Sequence, residues 1–318
     1  MTLRIAVQMD PLEGVNPQAD TTFAMIEEAQ ARGARIWTYG PDTLWYDEGY
    51  VRARARPSRV DRNASFHVEF GDWETLDLRE DVDVVLMRQD PPFHMGYLTA
   101  AHLLELIAPD TLVVNDPAWV RSSPEKVFPL IFPDLQPPTL ISRDPATIAE
   151  FRARHGDIVL KPLYGHGGAA VLRVKPDDGN FDAMLDLFRE RDPEPFIAQA
   201  FLPAVTEGDK RILLVDGEPA GAINRRPPEG AIRSNMVVGG AAEGTELTER
   251  EAEICARIGP ELKRRGLLFV GIDVIGGLMT EVNVTSPTGA QAVKRLSGED
   301  PIARMWDVVQ RRLAKSGA

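Results

Sequence analysis

Phe269-Val270-Gly271-Ile272-Asp273-Val274-Ile275-Gly276-Gly277-Leu278-Met279-Thr280-Glu281-Val282-Asn283-Val284 carries the pattern that organises the second part of the chain. Two short apolar runs flank a Gly-Gly pair, which signals a β-hairpin. Asp273 interrupts an otherwise apolar run. Glu281 and Asn283 are two apart, so they share one face of a strand. Two carboxylates and an amide brought together suit a hard cation such as Mg2+, which prefers oxygen ligands. Buried without a cation, two carboxylates repel and shift toward the neutral form. Register decides whether they meet. A two-residue turn sets Asp273 opposite Thr280 and sends Glu281 to the other face, whereas a three-residue loop, Gly276 to Leu278, sets Asp273 opposite Glu281. The odd-length loop is the expectation. A solvated edge hairpin explains Glu281 well but explains an acid inside an apolar strand poorly.

Around this hairpin the pattern is mixed. Arg211 to Val215 and Pro219 to Ile223 read as a second hairpin across Asp216-Gly217. Thr248 and Glu251 have capping-box spacing for a helix to about Arg265, which Gly259-Pro260 should kink or divide. A last helix is expected from about Pro301 to Ala314. Upstream, strands are predicted at Ile158 to Lys161, Ala170 to Val174 and Phe196 to Phe201, with a helix over Phe181 to Arg191. Ser123-Pro124 reads as the start of a short helix carrying Lys126, followed by a proline-rich connection, Pro133 to Pro138. Hairpins among helices indicate α+β from about residue 120 onward. Before it, strands at Leu3 to Met9, Asp81 to Met87 and Thr111 to Val114 alternate with helices, one capped by Asp20 and one over Leu98 to Ile107. That alternation predicts an α/β unit with a parallel sheet. The boundary falls between residues 121 and 122.

Gly165-His166-Gly167-Gly168 lies between two predicted strands. Such a loop lets backbone N–H groups approach phosphate oxygens, although a plain strand connector fits it equally well. It is not a Walker A loop, because no Lys-Ser/Thr pair follows. Lys161 ends an apolar strand, where an ammonium is costly unless it meets an anion or reaches solvent. Arg225, Arg226 and Arg233 form a basic stretch, with Asp209-Lys210-Arg211 adding two cations upstream. Arginine forks suit carboxylates and phosphates, with a solvated loop as the alternative. Thr285-Ser286-Pro287-Thr288-Gly289 offers hydroxyls and N–H groups after the hairpin.

Lys plus Arg number 36 and Asp plus Glu 48 in 318 residues, a formal net charge of −12. That balance excludes nucleic acid or an anionic membrane as a bulk partner but leaves room for a local basic pocket. The one cysteine, Cys255, excludes an internal disulfide framework or a cysteine-rich zinc site and fits a reducing, cytoplasmic compartment. The apolar run at Leu3 to Met9 is too short for a signal peptide, and no run approaches about 18 apolar residues.

Together these residues resemble the ATP-grasp ligases and, within them, the bacterial glutathione synthetase family. The resemblance is carried by Met9-Asp10-Pro11, Leu86 to Phe93, Glu125-Lys126, Leu160 to Leu163, Gly165 to Ala169, Gly208 to Arg211, Val215 to Pro219, Phe269 to Asp273 and Glu281 to Thr288. It implies an N-terminal pre-ATP-grasp domain (1–121) and a two-subdomain ATP-grasp domain (122–318). It implies ATP-dependent joining of γ-glutamylcysteine and glycine through an acyl phosphate. By the resemblance Lys126 and Lys161 contact the nucleotide phosphates, and Gly165, Gly167 and Gly168 fold over them. Gln199, Phe201 and Leu202 lie along the adenine, Asp209 is near the ribose, and Arg211 is near the phosphates. Asp273, Glu281 and Asn283 hold Mg2+ or Mn2+. Ser286, Thr288 and Arg233 meet the peptide substrate, with Arg88 as a further carboxylate partner. The lids are Gly165 to Gly168 and roughly Pro227 to Gly240. A homo-oligomer, dimer or tetramer, is implied as well. Ala241 stands where members of the family often carry an arginine linked to substrate closure. Two other readings remain: a related ligase with a different amine acceptor, and a nucleotide-binding regulator without ligase activity.

Overall fold

The computed structural model describes residues 2–108, 110–165, 167, 169–191, 193–228 and 241–316. The first part contains β1 (Arg4–Gln8), α1 (Thr21–Ala31), β2 (Arg35–Tyr39), β3 (Leu44–Asp47), β4 (Tyr50–Val60), β5 (Val68–Phe70), β6 (Glu74–Asp77), β7 (Val84–Met87), α2 (Met95–Glu105), β8 (Leu112–Val114) and α3 (Pro117–Ser122). As the alternation predicts, β1, β7 and β8 pair in parallel, and β2, a strand the sequence reading did not mark, pairs in parallel with β1 on its other edge. Asp20 caps α1 by accepting from the Phe23 N–H at 2.6 Å, which supplies a partner for an otherwise orphaned helix donor. The sheet is not purely parallel: β4 joins β2 antiparallel and also pairs antiparallel with β3, β5 and β6, with β3 and β6 on opposite edges of its first half. Val51, Ala53 and Ala55 alternate inward along β4 while arginines alternate outward, so this strand has a period of two that its charge obscures.

The helix expected after Ser123-Pro124 is displaced. Asp116 caps α3 by accepting from the Trp119 N–H, with Pro117 at the first helical position. Residues after Pro124 form a single turn leading into a short 3-10 segment, Phe128–Ile131, so Lys126 sits on a turn.

The second sheet comprises β9 (Thr139–Ser142), β10 (Ile158–Pro162), β11 (Leu172–Val174) and β12 (Phe196–Ala200), in the order β11-β10-β12-β9, with α4 (Pro145–His155) and α5 (Phe181–Arg191). The third comprises β13 (Asp209–Val215), β14 (Glu218–Arg226), β15 (Ala241–Gly244), β16 (Phe269–Ile275) and β17 (Leu278–Asn283), with α6 (Glu249–Arg264), α7 (Ala290–Ser297) and α8 (Pro301–Ser316). Its order is β15-β14-β13-β16-β17. Thr248 and Glu251 form the capping box of α6. Gly259-Pro260 does not divide that helix. Gly259 instead permits close approach, since a Cβ there would lie 2.2 Å from the Gly217 carbonyl oxygen in the β13–β14 turn.

Core packing positions the site. Residues of the first sheet share two apolar clusters with the third sheet and its helices. Trp306 of α8 donates to the Met25 carbonyl in α1 at 3.0 Å. Asn115 donates to the carbonyls of Phe269 and Val284 and accepts from the Phe269 N–H. The second sheet packs on its own cluster, which includes Ile158, Leu160, Phe181, Phe188 and Phe196.

Candidate active site

The register of β16 and β17 brings the carboxylates together by a route that differs from the sequence expectation. The turn has two residues, Gly276 and Gly277, with φ of 57° and 75°, left-handed values that glycine adopts without a Cβ clash. Ile275 pairs with Leu278 and Val274 with Met279, but Asp273 then pairs with Glu281. Thr280 is the extra residue of a β-bulge, and its hydroxyl donates to the Asp273 carbonyl at 3.3 Å. The bulge, not an odd loop, puts Asp273 and Glu281 on one face. The Asn283 amide lies 3.4 Å from the Asp273 carboxylate.

Asp273 is buried at the centre of the third sheet, and Arg211 of β13 is its partner in register on the other side. Arg211 donates to it from Nε at 2.6 Å and from Nη2 at 3.1 Å, and from Nη1 to the Thr288 carbonyl at 3.1 Å. Gly271 makes this packing feasible: a Cβ there would sit 3.0 Å from the Pro287 Cβ and 3.1 Å from the Arg211 Cδ. Arg225 does not lie on a solvated loop. It is buried on β14 and reaches Asp209 at 2.6 Å and Asp273 at 2.9 Å. Burial works against the Asp273 charge, but Arg211 and then Arg225 outweigh it and hold the carboxyl well below its usual range. Burial likewise opposes the Arg225 charge, and Asp273 and Asp209 overcome it.

Glu281 has different partners. Lys126 Nζ lies 3.7 Å and Lys161 Nζ 3.8 Å from its Oε1. Both lysines are buried. Burial pushes the Lys161 ammonium down, partly offset by Glu281. Lys161 and Gln199 lie on one face of the second sheet, because Gln199 pairs with Val159, two residues from Lys161. The opposite face carries Ile158, Leu160 and Ala198 into that sheet's core. Gln199 is buried and donates to the Thr139 hydroxyl at 3.0 Å. Phe201 follows β12, and the Arg173 guanidinium covers its ring at 3.8 Å. Leu202 precedes a 3-10 turn leading toward Asp209. Lys126 Nζ donates to the Gly165 carbonyl, and Gly167 has a φ of 61°. Lys210 leaves the site and pairs with Glu251 of the α6 cap at 2.6 Å.

At the other end Arg88 is buried, donating to the Thr22 hydroxyl at 3.0 Å and the Pro287 carbonyl at 3.1 Å. Burial lowers its affinity for a proton. Asp90 is raised by burial and hydrogen-bonds the Ser286 side chain. Arg88, Ser286 and Thr288 therefore adjoin the arginine–carboxylate cluster. Arg233, Gly168, His166 and most of the Pro227 to Gly240 lid lie outside the described residues.

The geometry adds groups to which the sequence reading gave no role. Glu125 accepts from the Thr285 hydroxyl at 2.8 Å, and burial raises its carboxyl. In the sequence it stood out only as the neighbour of Lys126 in Glu125-Lys126. The Phe93 and Tyr164 rings stack with centroids 6.0 Å apart. Cys255 is buried within α6.

Among the described residues no three His, Cys, Asp or Glu side chains group as a metal site. Two carboxylates and an amide do converge, and Mg2+ is commonly held by one or two carboxylates with substrate phosphates and water completing its shell. Four cationic groups, Lys126, Lys161, Arg211 and Arg225, flank them, so the donor set fits a metal arriving with an anionic phosphate chain.

Comparison with known proteins gives a consistent result. Residues 3–121 match the family described as prokaryotic glutathione synthetase, N-terminal domain, and residues 125–298 match prokaryotic glutathione synthetase, ATP-grasp domain. The glutathione synthetase of Rhodopseudomonas palustris is 55% identical over 314 residues, 99% of this chain and 100% of that protein. That of Mesorhizobium japonicum is 54% identical over 98% of this chain and 99% of its own length. That of Pseudomonas putida is 41% identical over 98% of this chain and 99% of its own length. Among solved structures, the D-cycloserine synthetase DcsG superposes with a TM-score of 0.69 at 16% identity, covering 98% of this chain and 99% of that one. The ATP-grasp ligase PsnB with a minimal precursor, Mg and ADP gives 0.60 at 16% identity, with 98% of each chain covered. At these identities the structural likeness speaks to the ATP-grasp fold.

Proposed function

The chain belongs to the prokaryotic glutathione synthetase family, and we propose that its buried cation–carboxylate cluster is where ATP drives the joining of γ-glutamylcysteine to glycine. The chain is an ATP-dependent ligase that forms glutathione. The observation that carries the site assignment is the convergence of Lys126 and Lys161 on Glu281, with Asp273 directly opposite Glu281.

In this reading Lys126 and Lys161 take the nucleotide phosphates in exchange for Glu281, which frees that carboxylate. Asp273, Glu281 and Asn283 would hold Mg2+, or Mn2+ in its place. The cation supplies charge neutralisation on the phosphate oxygens. Phosphoryl transfer mainly needs position and compensated charge, and Arg211, fixed by Asp273 and the Thr288 carbonyl, supplies both beside the phosphates. The cysteinyl carboxylate oxygen attacks the γ-phosphorus and ADP leaves, giving an acyl phosphate. The glycine amine attacks the acyl carbon and loses a proton, and inorganic phosphate leaves. Gln199, Phe201 and Leu202 line the adenine, with Asp209 toward the ribose. Ser286, Thr288, Arg88 and Arg233 hold the peptide. The other bounds proposed are a pre-ATP-grasp domain over 1–121 and an ATP-grasp domain over 122–318, in a cytoplasmic homo-oligomer, dimer or tetramer. No helix among the described residues is long and apolar enough to cross a membrane.

Neither the different amine acceptor nor the non-catalytic regulator is favoured, because full-length relatives carry the glutathione synthetase name and the cation and carboxylate set is intact. A phosphate-release assay with γ-glutamylcysteine and a panel of amines tests the function. Release with glycine supports it. Release only with another amine, or with none, overturns it.

A further inference from the structure

Phe269 opens β16 and Val284 follows the last residue of β17, so both lie at the open end of the hairpin that carries Asp273, Glu281 and Asn283. The two strands of that hairpin are held differently. β16 runs against β13 in unbroken register, from Lys210 with Val274 to Val215 with Phe269, which fixes Asp273. β17 is the edge strand, and β16 is its neighbour in the sheet. The Gly276-Gly277 turn does not set the position of Glu281, because the Thr280 bulge between them breaks the register. Beyond Glu281 the ladder continues through Ile272 with Val282 and Gly271 with Asn283, and stops. A slip of one residue there would turn Glu281 and Asn283 to the other face. The outer edge of β17 is tied only to the connection before β9, through Val282 N–H to the Glu125 carbonyl and Met279 N–H to the Leu135 carbonyl.

Asn115 takes over where β17 leaves off. The Leu268 carbonyl accepts from the Asp216 N–H on the β13 side, so the N–H and C=O of Phe269 face the other edge. The Asn115 amide meets both there: Oδ1 accepts from the Phe269 N–H at 2.8 Å, and Nδ2 donates to the Phe269 carbonyl at 2.8 Å. The same Nδ2 donates to the Val284 carbonyl at 2.7 Å. One side chain thus joins the two strands. Asn115 is itself fixed: it is buried, directly follows β8 of the first sheet, and adjoins Leu86, Met87 and Met305 around a cavity of about 10 Å3. Such a space holds about one water, too few to replace all three bonds.

We propose that Asn115 is a positioning residue for the metal ligands: from the first sheet it staples the open end of the hairpin and so holds Glu281 and Asn283 on the face of Asp273. This rests on the metal assignment in the ligase reading above and adds to it a residue from the N-terminal segment. Without the staple, three buried backbone groups lose their partners, and the end of β17 is free to fray. Fraying moves Glu281 and Asn283. It leaves Asp273 on β16, Arg211 on β13 and Lys161 on β10 in place. The loss therefore falls on the cation and not on the nucleotide. Removing a group that orients metal ligands typically weakens metal binding about 10- to 100-fold.

The test is calorimetric binding of ADP to the full-length protein, with and without Mg2+. Wild type should bind ADP more tightly when Mg2+ is present. Asn115→Ala should lose about 10-fold or more of that gain, yet bind ADP alone no more weakly than wild type. In the metal-free proteins, hydrogen exchange over residues 278–284 should be faster in Asn115→Ala, with β13 unchanged. Trp306→Phe removes a different buried hydrogen bond, the one from α8 to the Met25 carbonyl, and should keep the Mg2+ gain. If Asn115→Ala does not fold, Asn115→Asp, which has the same outline and keeps an acceptor for the Phe269 N–H, carries the same test. Failure of both to fold makes Asn115 a folding residue and overturns the positioning role. An undiminished Mg2+ gain in the Asn115 variant overturns the staple and leaves the ligase reading standing. An equal loss in Trp306→Phe assigns the effect to general stability and overturns it too. Absence of any Mg2+ gain in wild type defeats the metal assignment, and the staple with it.

Discussion

Arg211 and Asp273 face each other in register across β13 and β16, and the guanidinium forks onto the carboxylate at 2.6 and 3.1 Å. Arg225 reaches the same carboxylate at 2.9 Å. Asp273 thus pairs with two buried arginines, sharing Arg225 with Asp209, and is also a candidate metal ligand. Removing one partner of such a cluster leaves uncompensated buried charge, which typically costs about 3–5 kcal/mol.

Asp273→Asn should therefore lower stability by several kcal/mol and abolish turnover, read by urea unfolding and by phosphate release. The folded carboxyl titrates below its unfolded value of about 3.9. Its stabilisation is present above that pH and is lost as pH falls toward the folded value. The stability gap between wild type and Asp273→Asn should accordingly shrink on acidification below about pH 4. A gap that stays constant would show that the charge is not what Asp273 contributes.

Glu281→Gln should abolish turnover while leaving the lysines better able to bind free nucleotide. Its carboxylate is the common anion of Lys126 and Lys161 at 3.7 and 3.8 Å. Calorimetry should show tighter ADP binding without Mg2+ and a loss of the gain that Mg2+ gives wild type. Near-normal turnover at limiting Mg2+ would remove Glu281 from the metal assignment.

Gly271→Ala should act through Arg211. The added Cβ would meet the Pro287 Cβ at 3.0 Å and the Arg211 Cδ at 3.1 Å, and small-to-large changes in packed sites cost about 1–3 kcal/mol. Displacing a positioning group by about an ångström can cost roughly 100-fold in rate. Steady-state kinetics should show a fall in kcat larger than the loss of stability explains. Gly179→Ala, where an added Cβ meets nothing within 4 Å, is the control and should change neither.

Cys255 should be inert in the native protein. Burial pushes its thiol up to about 12, with Glu251 adding to the effect. At pH 8 a thiol-specific reagent should label it only on unfolding, because the thiolate is the nucleophile. Unfolded cysteine ionises near pH 8.5, so its contribution to stability falls as pH rises from there toward the folded value. Rapid labelling of native protein at pH 8 would contradict its burial.

The parts of the fold that were legible in the sequence are those with strong local signals. Asp20, the Thr248–Glu251 box and the Asp216-Gly217 turn each mark an element by its own hydrogen-bonding chemistry. The β3–β6 extension was missed because arginines alternate with small residues along β4, so its period of two reads as charge. The Thr280 bulge cannot be inferred from turn length, because it depends on the packing of β17 against its neighbour. The two lysines were named individually, but their meeting at Glu281 comes from packing of the Lys126 turn and the second sheet, which carries Lys161, against β17. Arg225 read as a loop cation because the extent of β14 was underestimated, and its burial appears only once Asp209 and Asp273 are in place.

The central claim, amide formation through an acyl phosphate, is tested most directly with γ-glutamylcysteine carrying 18O in both oxygens of its cysteinyl carboxylate. Incubated with ATP, Mg2+ and glycine, the protein should transfer one labelled oxygen to inorganic phosphate for each glutathione formed, the other remaining in the new amide. Glutathione formed with no label in the phosphate would contradict the acyl phosphate, and labelled phosphate without glutathione would contradict the ligase.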